Sequence, residues 1–178
     1  MIRKLMTLIT VLLLTAMISA SCSAGASMAD VIRQGLGTVS RINKSADAGD
    51  ADGNAQTDTV VAAVSLDSNG RIIAVKIDAL QSRIAFTKEG KIATDPATLI
   101  KSYKEQGDQL GMKDKSGIGQ EWNQEITTLE NWLLGKSLSD LTGLALTSEG
   151  KIDDLKASVT ISATDYLEAV KKAIADAG

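Results

Sequence analysis

The stretch Asp154-Leu-Lys-Ala-Ser158-Val-Thr160-Ile-Ser162-Ala-Thr-Asp165-Tyr-Leu-Glu-Ala-Val170-Lys-Lys-Ala-Ile174 changes character half-way along. Its first part reads as an extended run that ends in hydroxyl residues. Its second part is periodic: Ala163, Leu167, Val170 and Ile174 share one helical stripe, with Tyr166 and Ala173 beside it. Ser162 is a favoured N-cap residue, and Asp165, three residues on, suits the positive end of the helix. Thr160 and Ser162 are therefore expected where a strand stops and a helix starts. Free amides and hydroxyls at such a junction make a seat for a phosphate. An ordinary strand-to-helix turn capped by Ser162 accounts for the same residues.

Upstream, residues 59–66 (Thr-Val-Val-Ala-Ala-Val-Ser-Leu) and 71–80 (Arg-Ile-Ile-Ala-Val-Lys-Ile-Asp-Ala-Leu) are rich in β-branched residues and read as strands. Asp67-Ser-Asn-Gly70 between them is turn chemistry, so the two form a hairpin. Ile73, Val75 and Ile77 give the second strand an apolar face. Residues 36–42 read as an earlier strand. Gly35 and Gly37 would permit a bend there, or close approach of another backbone or a ligand. Residues 43–58 read as a loop. Within it, Asp50-Ala-Asp52-Gly53 has part of a calcium-loop pattern, but Ala48 stands at the first ligand position and Thr59 at the twelfth.

Downstream, Asp95-Pro96 opens a predicted helix over 97–106. Residues 107–119 are glycine- and charge-rich and read as a long irregular loop of the kind that covers ligands. Residues 120–134 carry the strongest helical stripe, Trp122, Ile126, Leu129 and Leu133, ended by Gly135 with Lys136 at the negative end. A short helix or turn follows over 138–146. Lys88-Glu-Gly-Lys-Ile92 and Ser148-Glu-Gly-Lys-Ile152 echo each other as two similar turns. The fold class expected is α+β, an antiparallel β-sheet packed by two amphipathic helices.

The N-terminus reads as an export signal. Arg3 and Lys4 precede an uncharged, mostly apolar run over 5–18, short for a membrane span. Ile18-Ser-Ala-Ser-Cys22 then places small residues before the only cysteine, the pattern of a lipoprotein signal in which Cys22 becomes the lipidated first residue. A secretory signal cut near Ala24 or Ala26 is the rival reading. The organisation expected is a signal peptide over 1–21, a tether over 22–34 and one domain over 35–178. Of 19 basic residues the signal holds two, so 17 remain against 22 acidic ones, a formal charge of −5. That argues against nucleic acid and against a polybasic grip on anionic lipid. With no histidine in the chain, His-ligated haem, His-based zinc sites and Ser-His or Cys-His catalysis are excluded. No metal site is expected.

The closing stretch resembles the end of the FMN-binding domain family of bacterial membrane-associated electron-transfer proteins. That family carries Asp-x-x-Ser-Gly-Ala-Thr before a helix, and a flavin transferase can esterify FMN through its phosphate to the Thr. Here Asp154 and Thr160 stand at the outer positions, with Ala157, Ser158 and Val159 between. An Asp-x-x-Gly turn before an Ile/Val-rich strand, here Asp67 to Gly70, is also shared. The resemblance covers about residues 35–177. It implies FMN seated at Thr160, covalently or not, with Asp154, Ser158 and Ser162 around the phosphate. It also implies a redox partner at the membrane and a flavin transferase. Trp122 and Trp132 read first as core, with flavin stacking as the other role. The function expected is a lipid-anchored electron carrier held to the outer face of the bacterial cell membrane through Cys22. The alternative is a flavin-free surface lipoprotein that binds a small ligand or a partner protein on the same scaffold. Ser158 and Val159 favour that alternative, because a lost glycine restricts the backbone and valine is stiffer than alanine.

Overall fold

Alternating valines and alanines on one strand need a partner surface on one side only, and the sheet is built that way. A computed structural model describes residues 32–178. The signal, Cys22 and the tether up to residue 31 lie outside the described residues. Strands β1 (Arg33–Arg41), β2 (Gly53–Leu66) and β3 (Ile72–Phe86) form an antiparallel meander in that order. Val60, Ala62, Val64 and Leu66 of β2 are buried beside Val75, Ile77 and Ala79 of β3. The opposite face keeps Leu36 and Ile73 exposed.

Ile73 was expected inside. A bulge at Ser65/Leu66 pairs Leu66 with Ile72 and Ser65 with Ala74, so Ile73 becomes the extra residue. The alternation flips there, and Ile72 takes the buried place. The hairpin is present: Asp67 Oδ1 accepts the amides of Asn69 at 2.9 Å and Arg71 at 2.8 Å. The two echoed segments do form similar turns. Thr87 and Thr147 stand where Asp67 stands, and each turn closes through a glycine of positive φ, Gly70, Gly90 or Gly150.

Both long strands exceed their predicted length. Residues 53–58 were expected as loop, yet they pair with 81–86 in a polar two-stranded extension. Four helices follow: α1 (Tyr103–Gln106), α2 (Trp122–Leu133), α3 (Leu138–Thr142) and α4 (Thr164–Asp176). The helix expected over 97–106 survives only as α1, started by a Ser102 capping box. Asp95 accepts the Ala97 amide at 2.9 Å and its carbonyl the Thr98 amide at 3.0 Å, so Pro96 sits in a turn instead. The run expected to be extended after Asp154 is a 3-10 turn, Asp153–Leu155, followed by irregular chain.

The two amphipathic helices pack on the sheet. α2 buries Trp122, Ile126, Leu129 and Leu133 against β3, each contributing roughly 1.5–3 kcal/mol. α4 lies on β1 and β2 through Leu167, Ala169, Val170, Ala173 and Ile174. Gly35 and Gly37 explain how closely. A Cβ at Gly37 would overlap the Ala169 carbonyl oxygen, and one at Gly35 the Ala173 carbonyl oxygen. The glycines serve close backbone approach, the partner being a helix.

Gly37→Ala is expected to lower stability by about 3 kcal/mol or more, since backbone must move on both sides. Gly49→Ala, where a Cβ meets nothing within 4 Å, is expected to stay within about 0.5 kcal/mol. Denaturant unfolding of the two variants checks both.

Candidate functional site

A carboxylate on the apolar stripe of a helix must find donors or cost several kcal/mol. Glu125 lies three residues after Trp122 and four before Leu129, on that stripe, and is 0% exposed. Three of its four donors come from the segment that enters α4 and the fourth from the glycine-rich segment. Oε2 accepts the amides of Thr160 at 2.6 Å and Ile161 at 3.0 Å. Oε1 accepts the Thr160 hydroxyl at 2.8 Å and the Ser116 hydroxyl at 3.0 Å. The carboxylate therefore occupies the seat that the sequence suggested for a phosphate.

The four expected site residues are not gathered into one cluster of hydrogen bonds. Thr160 is half-buried and turned to Glu125. The Ser158 hydroxyl donates to the Leu155 carbonyl at 3.3 Å. Ser162 is exposed and bonds Thr164 Oγ1 at 3.3 Å. Asp154 is exposed on the 3-10 turn. Ser162 is also not the cap of α4. Ala163 holds the N-cap position in a helical conformation without a side-chain cap, and its amide donates to the Gly150 carbonyl at 2.8 Å. The turn over 147–151 thus ties down the helix entry, and the cap hydroxyl is not needed.

A flavin phosphate does not fit Thr160 in this arrangement. It would have to displace a carboxylate that already accepts four hydrogen bonds. Placed beside that carboxylate at about 5 Å, it would meet repulsion of roughly 3 kcal/mol per unit charge at an effective dielectric near 20.

Next to this seat lies a cleft of about 310 Å³ between the β2–β3 pair, α1 and the start of α4. Tyr103 and Tyr166 line it with Lys44, Asp58, Ser162 and Asp165. Trp122 stands behind the tyrosines as core. Its ring meets Tyr103 edge-on at 5.4 Å and Tyr166 tilted at 6.3 Å, and its Nε1 donates to the Tyr166 hydroxyl at 2.9 Å. Trp132 is half-buried under the Lys136 ammonium, 3.9 Å from the ring centre. Burial pushes the Tyr166 phenol up to about 12, and burial together with the Asp58 charge raises Tyr103. Burial also works to raise the Asp58 carboxyl. Hydrogen bonds from Lys44, Gln56 and Gln81 reverse that and hold it below the usual carboxylate range. Lys44 is raised in turn by its 2.6 Å bond to Asp58.

The cleft is suited to binding. It offers two aromatic walls, one held ion pair and neutral phenols at physiological pH. Among the described residues no group of three metal-ligating side chains comes together. The sequence pointed to Ser162 beside this cleft but not to Tyr103, Lys44 or Asp58. They come from three distant segments, and no local spacing signals their meeting. Glu125 was detectable, since the periodicity that defines the stripe already placed a carboxylate on it. Compared with protein-family models, curated proteins and solved structures, the chain matches none.

Replacing Glu125→Gln is expected to cost about 1–3 kcal/mol, because the new NH2 group faces donors. Hydrogen exchange should then accelerate at the Thr160 and Ile161 amides. Alkaline titration gives a second test. The raised phenol means that the Tyr166 contribution to stability is intact below about pH 10, the unfolded value. It is lost as pH climbs towards the folded value of about 12. Phenolate absorbance should show that late step, and Tyr166→Phe should remove it.

Proposed function

We propose that the protein is a flavin-free binding protein, exported and lipid-anchored through Cys22 on the outer face of the bacterial cell membrane, that recognises a small ligand or a partner protein. The observation that carries the flavin-free part is the Glu125 carboxylate on the amides and hydroxyl of Thr160 and Ile161. An electron carrier with FMN on Thr160 would need Glu125 to leave that seat. Export and anchoring rest on Arg3, Lys4, the apolar run and Cys22 of the sequence. Binding is supported by the cleft beside Tyr103 and Tyr166, whose volume falls at the small end of the ligand-pocket range. The absence of histidine and of a nucleophile–base pair in that cleft favours recognition over chemistry.

The deciding experiment is intact mass with visible absorbance. The chain is expressed with its own export signal in a host that has a flavin transferase. A colourless protein without added FMN mass, which takes up no FMN from solution, is expected. A flavin that stays with the denatured chain and vanishes in Thr160→Ala would restore the electron-carrier reading. In the same host, Cys22→Ala should move the protein from the membrane fraction to the soluble one. Retention in the membrane would remove the lipid anchor.

A further inference from the structure

Part of the outer edge of β3 is already occupied by hydrogen bonds from other elements. Pairing with β2 runs unbroken from Gly53↔Phe86 to Ser65↔Ala74, so odd-numbered residues of β3 share one orientation. The amides of Ile77, Ala79 and Ala85 fix it as outward. They donate to Glu130 at 2.8 Å, Asp78 at 2.8 Å and Thr94 at 2.8 Å. The Ala85 carbonyl accepts from Ala93 at 2.8 Å. Two odd positions lie between the covered ones, Gln81 and Arg83. Their outward backbone groups have no hydrogen-bond partner among the described residues.

Those two positions open onto a groove of about 670 Å³. After the Phe86↔Ile92 bridge the chain diverges from β3 through Pro96, and the far wall of the groove is the segment 96–101. Its apolar surface comes from Ile84, Ile92, Pro96, Leu99 and Ile100. Ile92 is 64% and Leu99 81% exposed. Four of the ten large exposed hydrophobics of the described residues thus gather on one groove.

The geometry points to an extended peptide segment of a partner protein as the occupant, added as a short fourth strand to β3 at Gln81 and Arg83. Two outward N–H and two outward C=O groups, about 7 Å apart along the strand, match the main chain of one extended partner segment. A small apolar molecule would cover the aliphatic walls and leave those groups unpaired, which costs affinity. Arg83 and Lys101 on the rim outnumber Asp95, so an acidic residue beside apolar ones suits the segment. This inference stands on the open strand edge. It does not depend on the Glu125 seat, and either reading can fail without the other.

The test uses the full chain and a random-peptide display library. Peptides of alternating apolar residues should be enriched, and a synthetic copy should bind measurably. N-methylation of its amides on alternate positions should abolish binding on one set and spare the other, the signature of strand pairing. Arg83→Pro, which removes an outward donor without touching a bond to β2, should weaken binding about tenfold. Leu99→Asp should weaken it too, and its exposed position keeps the fold intact. The proposal is overturned if no peptide is enriched, if N-methylation has no alternating effect, or if both variants bind as the parent does. A solution dimer that Arg83→Pro dissolves would overturn it in favour of a second copy of the chain.

Discussion

Three carboxylates, one at the N-cap of α2 and two within it, hold the irregular half of the molecule. Glu121 accepts the amides of Met112 at 2.9 Å and Lys113 at 3.1 Å. Glu125 accepts those of Thr160 and Ile161. Glu130 accepts the Ile77 amide at 2.8 Å and two lysines, Lys104 at 2.6 Å and Lys76 at 3.3 Å. All three are buried. Bonds from backbone amides to a charged acceptor are short and strong, and losing one would leave a buried charge unpaired. One helix thereby fastens the glycine-rich segment, the entry to α4 and the edge of β3. The first two have little regular hydrogen bonding of their own, and on β3 the helix reaches the side that faces away from β2.

The second constraint is steric. α4 approaches β1 closely because Gly35 and Gly37 face Ala169, Ala173 and Ala177. Polar bonds then fix the register: the Leu36 amide donates to Asp176 at 3.0 Å and Lys172 to the Thr38 carbonyl at 3.1 Å. At the other end Arg41 bridges Asp165 and Glu168. The placement of α4 carries Tyr166 to the Trp122 indole. The aromatic wall of the cleft thus depends on two glycines some distance away in the sequence.

Much of the regular structure was legible. The α2 stripe of Trp122, Ile126, Leu129 and Leu133, the α4 stripe, and the hairpin at Asp67 to Gly70 depend on periodicity and turn chemistry within a few residues. Misreadings fell where distant partners, or in one case a competing local turn, override the pattern of residue types. Residues 53–58 look like loop because they are polar, yet β3 supplies their ladder. Residues 97–101 look helical, but Asp95 turns the chain with its own side chain. Ser162 looks like a cap, but the Gly150 carbonyl secures that entry. The seat at Thr160 was legible as a cluster of donors, but the acceptor expected from the sequence was a phosphate, whereas in the structure Glu125 accepts those donors.

By itself, the sequence determined the α+β class, the two amphipathic helices, the hairpin and the exclusion of histidine chemistry, because each follows from residue type and short-range spacing. Tertiary structure alone decided which group fills the donors at Thr160, why Gly35 and Gly37 are glycines, and which stretch of β3 stays open. Those outcomes depend on segments tens of residues apart meeting in space. A donor in the sequence has no assigned acceptor until the chain has closed around it.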